Sequence, residues 1–154
     1  MSKYLNDGMF SSSTDEWETP KDLFDRLNDE FRFTLDVCAT AENAKCSRYF
    51  TKEQDGLLHD WTGETVWCNP PYGKGMDAWC RKCLEHSIGG GTAVMLIPAR
   101  TDTKWFHEYV YGKAEIRFVR GRLKYGNAKW NAPFPSMIVI YRGNDIVNAL
   151  KGAV

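Results

Sequence analysis

The chain has 154 residues, 43% of them apolar and 26% charged, which fits one globular domain with its own core and excludes a chain disordered throughout. Its longest aliphatic run, Ala93-Val94-Met95-Leu96-Ile97, is far short of the ~20 apolar residues of a membrane helix, and no basic start followed by an apolar run marks a secretory signal. The formal net charge is zero, yet residues 1–60 carry a net −6, residues 61–154 a net +6, and residues 100–129 alone a net +5, a distribution that can meet a polyanion.

Residues 1–14, with Ser11-Ser12-Ser13-Thr14, read as a flexible leader, and 146–154 as a tail, leaving 15–145 as a single domain. Thr19 is a candidate N-cap, with Pro20 at the first helical position and Leu23, Phe24, Leu27 and Phe31 at helical spacing, so a helix is predicted over 20–31. Phe33 to Cys38 reads as a buried strand with an acid, Asp36, near its carboxyl end. Asn43 to Cys46 is expected to hold a helical turn, Arg48 to Thr51 a short strand, and Asp55-Gly56 a turn. Thr65 to Cys68 is a further strand, stopped by Asn69-Pro70-Pro71-Tyr72-Gly73. A helix over 76–86 closes at Gly89-Gly90-Gly91. Strands follow at 92–97, 114–119 and 136–141, with a helix at 102–111. Strands alternating with helices predict an α/β layer with a mostly parallel central sheet, helices on both faces and an antiparallel C-terminal hairpin around the loop 120–135.

The stretch Val66 to Tyr72 carries the most chemistry. In open α/β sheets ligands bind beyond the carboxyl ends of the strands, where this rigid loop falls. The Asn69 side-chain carbonyl and the Pro70 backbone carbonyl are two acceptors suited to an exocyclic amino group, and Tyr72 offers a flat face beside them. An ordinary turn would use the same four residues. The position after a buried strand, with an acid-bearing strand some 30 residues upstream, favours a site.

With these residues the sequence resembles the small phage-type (Dam-like) DNA N6-adenine methyltransferases, which use S-adenosylmethionine. The matching pieces, in order, are Trp17-Glu18-Thr19-Pro20, Leu35 to Ala39, Tyr49-Phe50-Thr51, Asp55-Gly56-Leu57, Asp60-Trp61, Trp67 to Tyr72, Pro98 to Thr103, Trp105-Phe106-His107 and Gly121-Arg122-Leu123. The resemblance covers about residues 15–142 and implies a Rossmann-like class I methyltransferase fold without a large target-recognition domain. It implies that Asn69, Pro70, Pro71 and Tyr72 are catalytic. It implies that Asp36 faces the cofactor's ammonium, that Asp55 and Asp60 meet its ribose or adenine, and that Trp17, Thr19 and Pro20 close over its methionine end, with Asn69 shared. Each of these acids could equally cap a helix or turn. One departure stands out: Cys38 to Cys46 contains no glycine, whereas such enzymes place a glycine-rich turn after the first strand.

Arg100, Lys104, Arg120, Arg122 and Lys124 are the candidate phosphate contacts for double-stranded DNA, with base choice left to loops 72–77 and 120–135. Of the aromatics among them, Phe118 is expected in the core. Cys80 and Cys83 have CxxC spacing, but lie on the apolar side of a predicted helix and read as core thiols rather than a metal site. The expected protein is cytoplasmic, without membrane contact, and a monomer or weak homodimer. Two other functions fit: the same N-methylation of RNA adenine or a protein amide, and a non-catalytic nucleic-acid-binding module of this fold.

Overall fold

A computed structural model describes residues 17–126 and 130–143, so the expected leader and tail lie outside the described residues. The elements are α1 (Lys21–Phe31), β1 (Leu35–Ala39), β2 (Tyr49–Thr51), a 3-10 turn (Gly56–Leu58), β3 (Thr65–Cys68), α2 (Met76–Ile88), β4 (Thr92–Pro98), a π-helical stretch (Phe106–Val110), β5 (Glu115–Phe118) and β6 (Ser136–Arg142). The six strands form one sheet in the order β2-β1-β3-β4-β6-β5. The first four are parallel, while β6 runs antiparallel to both β4 and β5. The predicted hairpin is present, with β6 inserted between β4 and β5, so that β5 runs in the same direction as β4. The carboxyl ends of β1, β3, β4 and β5 therefore share one edge of the sheet.

The sequence sets this layering through strand alternation. Successive side chains of a strand point to opposite faces. Trp67 of β3 packs edge-on against Phe24 of α1 at 5.3 Å. Its neighbour Cys68 meets Cys83 of α2 through sulfur. One helix therefore covers each face, and the strands between them must be apolar on both sides. That is why Ala93 to Ile97 and Met137 to Tyr141 read as unbroken runs, all at most 2% exposed.

Several sequence expectations change. The 102–111 helix contains a π-helical stretch, closed by Tyr111 N–H donating to Phe106 C=O at 2.8 Å, five residues back. Phe33 precedes its strand, which begins at Leu35. Phe118 is 64% exposed rather than in the core, because β5 is an edge strand that the sheet covers on one side only. Arg117 contributes to the local positive charge but is paired with Glu30 at 2.7 Å and Glu115 at 2.6 Å, tying the end of α1 to this edge. Among the described residues no helix is long and apolar enough to cross a membrane.

Candidate active site

A cleft of about 620 Å³ opens at the carboxyl ends of β1 and β3, well inside the range of small-molecule sites. From β1 the chain runs outward to β2, then returns across β1 to form β3. The connections diverge on either side of this pair, and the crevice left between them is the ligand position of open α/β sheets. The loops after β1 and β3, the segment 17–19 and the 55–57 turn supply its walls. Gly56 presses that turn against the sheet: a Cβ there would lie 2.4 Å from the Val37 carbonyl oxygen. The turn is pinned from outside by the Trp61 indole, which donates to Gly56 C=O at 2.9 Å, and by Lys82, which donates to the carbonyls of Leu57 and His59 at 3.0 and 2.6 Å.

Asn69 stands on the cleft wall, half-buried, with its amide held at both ends. Its Nδ2 donates to the Trp17 carbonyl and, at 2.9 Å, to Thr19 Oγ1. Because a backbone carbonyl can only accept, the nitrogen must face Trp17, which fixes the side-chain oxygen on the other side. That oxygen accepts from Tyr72 Oη at 2.8 Å. Thr19 is thus not the helix cap that its sequence position indicates. Pro20 occupies the N-cap position without a side-chain bond, and the Thr19 hydroxyl serves Asn69 instead. The buried Pro70 makes no backbone hydrogen bond through its carbonyl among the described residues.

Tyr72 departs from the expected flat face. Its ring is 6% exposed and meets Tyr125 and Phe134 edge-on, at 6.1 and 5.4 Å. The hydrophobic gain of an aromatic cluster holds it inward; Tyr72 does not line the cleft, and its hydroxyl meets Asn69 Oδ1 from behind the wall. Burial raises its ionisation well above the ordinary range, so it remains a proton donor.

The acids divide. Asp36 is 2% exposed on the cleft wall, accepting from the backbone N–H of Cys38 at 3.2 Å and of Lys45 at 3.0 Å. Burial pushes its carboxyl up to about 6. Its bond to Lys45, nine residues on, holds the glycine-free loop in place. Asp55 also lines the cleft and caps the 3-10 turn through Leu57 N–H at 3.1 Å. Asp60 does neither: it is exposed, off the cleft, and bound to the Thr62 N–H and hydroxyl at 3.0 and 2.6 Å. An Asp two residues before Thr closes its own turn, so local bonding overrides the cofactor role. Trp17 and Thr19 line the cleft, while Pro20 does not. Sequence reading missed Lys45, whose contact is a loop closure with no periodic signal, and the inward role of Tyr125.

Arg100, Lys104, Arg120, Arg122 and Lys124 are all exposed. Lys104 lies 3.5 Å from Glu108, and the other four make no ion pair among the described residues. They sit in the segments that follow β4 and β5, on the same sheet edge as Asn69. The Cys68 thiol contacts those of both Cys38 and Cys83, and burial raises all three above the ordinary range, so they stay protonated. Among the described residues no three His, Cys, Asp or Glu side chains are grouped to hold a metal.

A mostly parallel sheet with a reversed strand beside β4, and a cleft at the β1/β3 divergence, define a Rossmann-like methyltransferase domain. Residues 8–145 match the DNA N-6-adenine-methyltransferase (Dam) family, and the chain belongs to it. A DNA N-6-adenine-methyltransferase of Haemophilus phage HP1 is 30% identical over 150 residues, covering 92% of this chain and 87% of the phage protein. The protein of the same description from Escherichia phage T1 is 32% identical over 111 residues, covering 71% of this chain and 46% of its relative.

Proposed function

We propose that the chain, as one catalytic domain over residues 15–145 and a monomer or weak homodimer, methylates the exocyclic N6 of adenine in double-stranded DNA with S-adenosylmethionine. The observation that carries this reading is Asn69: an amide of fixed orientation, on a proline-stiffened loop, on the wall of a cleft sized for a cofactor. Family membership and the two phage relatives support DNA adenine as the substrate.

The cleft suits the cofactor in charge as well as size. Asp36 is a buried acid with backbone partners; among the described residues no cationic side chain is bonded to it, the Lys45 charge acting only as the weakest influence on its carboxyl, and an ammonium at the cleft wall would complete it. Asp55, also on the cleft wall, would meet hydroxyl or amino groups of the adenosine end. S-adenosylmethionine, when bound, supplies an electrophilic methyl group on a sulfonium.

The chain's own residues bind and orient the amine. A stacked adenine cannot reach a cleft wall, so the base must leave the duplex, losing a few kcal/mol of stacking and pairing. The Asn69 Oδ1 and the Pro70 carbonyl would each accept one N–H of the amino group, and Pro70 and Pro71 keep the two acceptors from drifting apart. So held, the nitrogen lone pair is left free, and the same two oxygens stabilise positive charge as it develops there. No base need remove a proton first, because the N–H becomes acidic only after the nitrogen has gained its new substituent.

The test is transfer of labelled methyl groups to duplex DNA, with N6-methyladenine identified by mass spectrometry and RNA and protein acceptors run alongside. Asn69→Ala should lose more than about 100-fold in kcat, about 3 kcal/mol of barrier, while cofactor binding survives. Near wild-type methylation by that variant would remove the loop from the chemistry. A preference for RNA or protein would move the substrate, and failure to bind the cofactor would support the non-catalytic reading.

A further inference from the structure

The glycine-free loop after β1 spends its backbone donors on itself. Thr40 N–H donates to Asn43 Oδ1 at 2.7 Å, Asn43 N–H returns to Thr40 Oγ1 at 3.1 Å, and Ala44 N–H closes on the Thr40 carbonyl at 3.0 Å. The N–H groups of Cys38 and Lys45 go to Asp36. Cys38, Thr40, Asn43 and Lys45 all line the cleft, and the backbone N–H of each is already bonded. A glycine-rich turn at this place would offer free N–H groups to an anion. Here a side-chain cation is the partner left for an anionic group beside Asp36.

Three lysines line the cleft: Lys45, Lys52 and Lys74. Lys52 and Lys74 are exposed, whereas Lys45 is half-buried. Lys45 is also the cation whose charge acts on the Asp36 carboxyl, and its backbone is tied to that carboxylate at 3.0 Å. Yet among the described residues no ion pair joins the two side chains. A buried acid and a half-buried cation therefore stand near each other on one wall without neutralising each other. Taking a charge out of water is costly until it meets an opposite one. A ligand that carries an ammonium and a carboxylate on the same carbon would satisfy both at once, and an amino acid is such a ligand.

Resting on the cofactor reading above, we propose that Lys45 binds the carboxylate of the amino acid end of S-adenosylmethionine, while Asp36 takes its ammonium. Together the two side chains read a zwitterion, and the cleft selects the complete cofactor against adenosine sulfoniums that lack the carboxylate. With the carboxylate present, each charge at this wall has a partner of opposite sign. Without it, the ligand's ammonium leaves the Lys45 charge uncompensated and repelled. The lysine side chain does here what the free N–H groups of a glycine-rich turn would do with backbone.

Calorimetric titration of the wild-type protein and of Lys45→Met compares S-adenosylmethionine with its decarboxylated form, which keeps the ammonium, the sulfonium and the adenosine. Methionine preserves much of the apolar stem of lysine, and the backbone N–H that donates to Asp36 is unchanged. Wild type should bind the complete cofactor at least about tenfold more tightly than the decarboxylated one. Lys45→Met should weaken binding of the complete cofactor about tenfold and shift that of the decarboxylated form by less than about threefold, so that the preference disappears. A merely structural lysine would lower both affinities alike, so a parallel loss overturns the proposal. An unchanged preference in Lys45→Met does so too, as does its disappearance in Lys74→Met instead. Lys45→Gln is measured beside Lys45→Met in case the latter does not fold. The wild-type comparison needs neither variant, and equal affinity for the two ligands there also overturns the assignment. A wild-type protein that binds neither ligand removes the cofactor reading and this proposal with it. Tight binding of S-adenosylmethionine that does not depend on Lys45 leaves that reading standing and sinks the role of Lys45 alone.

Discussion

Replacing Asp36 by Asn should make the protein more stable and less able to hold its cofactor. The side chain is 2% exposed, and burial lifts its carboxyl from 3.8 to about 6. Between those two values the native state keeps a proton that the unfolded chain has already lost. Stability therefore falls as pH rises from about 4 to about 6, then stays level, with the native carboxylate ionised and buried. The gap from 3.8 to about 6, at about 1.4 kcal/mol per pH unit, gives a penalty of about 3 kcal/mol at pH 8. Asn resembles the protonated acid and escapes this penalty, but its single acceptor cannot serve both Cys38 N–H and Lys45 N–H, which returns about 1 kcal/mol. The net is about 2 kcal/mol of stabilisation at pH 8, a rise of about 6 °C in the cofactor-free melting temperature. Cofactor affinity should fall at least about tenfold if the carboxylate faces the ammonium. Urea unfolding of both proteins from pH 4 to pH 8, with calorimetric cofactor titration, decides the matter. An Asp36→Asn protein less stable than wild type at pH 8 would refute the reasoning, because Asp36 would then be a structural anchor rather than an acid held in reserve for a cation.

The same ionisation should make wild-type cofactor affinity fall as pH drops through about 6, and this slope should vanish in Asp36→Asn. Thr19→Val removes one acceptor of the Asn69 amide and should reduce kcat by about tenfold with cofactor affinity nearly kept, while Thr19→Ser restores it; equal kinetics in all three would free Asn69 from this strap. Gly56→Ala places a Cβ 2.4 Å from the Val37 carbonyl oxygen. It should destabilise by about 2–3 kcal/mol, with a changed near-ultraviolet signal from Trp61, which donates to the Gly56 carbonyl. Arg122→Ala and Lys124→Ala should each weaken DNA binding and flatten its salt slope by about one unit. An unchanged slope in both would make that edge an ordinary solvated surface.

Local pattern alone determined much of this molecule. Apolar runs bounded by prolines and glycines located the strands, and the doubly buried runs of β4 and β6 could only belong to a covered sheet, because each residue along them needs an apolar neighbour on its own face. The Asn69-Pro70-Pro71 stop after β3 pointed to the edge where the candidate cleft lies, since the prolines forbid further pairing and the carboxyl edge of such a sheet is where ligands lie. Tertiary structure decided what each polar or aromatic group faces. Thr19 looks like a helix cap but bonds to Asn69, fifty residues away. Asp55 and Asp60 look alike in sequence, yet only the first lines the cleft, because Gly56 lets its turn press against Val37 while Asp60 folds back on Thr62. Phe118 is apolar and exposed, while Tyr72 is polar-tipped and buried, because edge position and ring packing outweigh hydropathy read residue by residue. Hydrogen bonds and burial are set by neighbours brought from distant parts of the chain, and no local periodicity records which neighbour arrives.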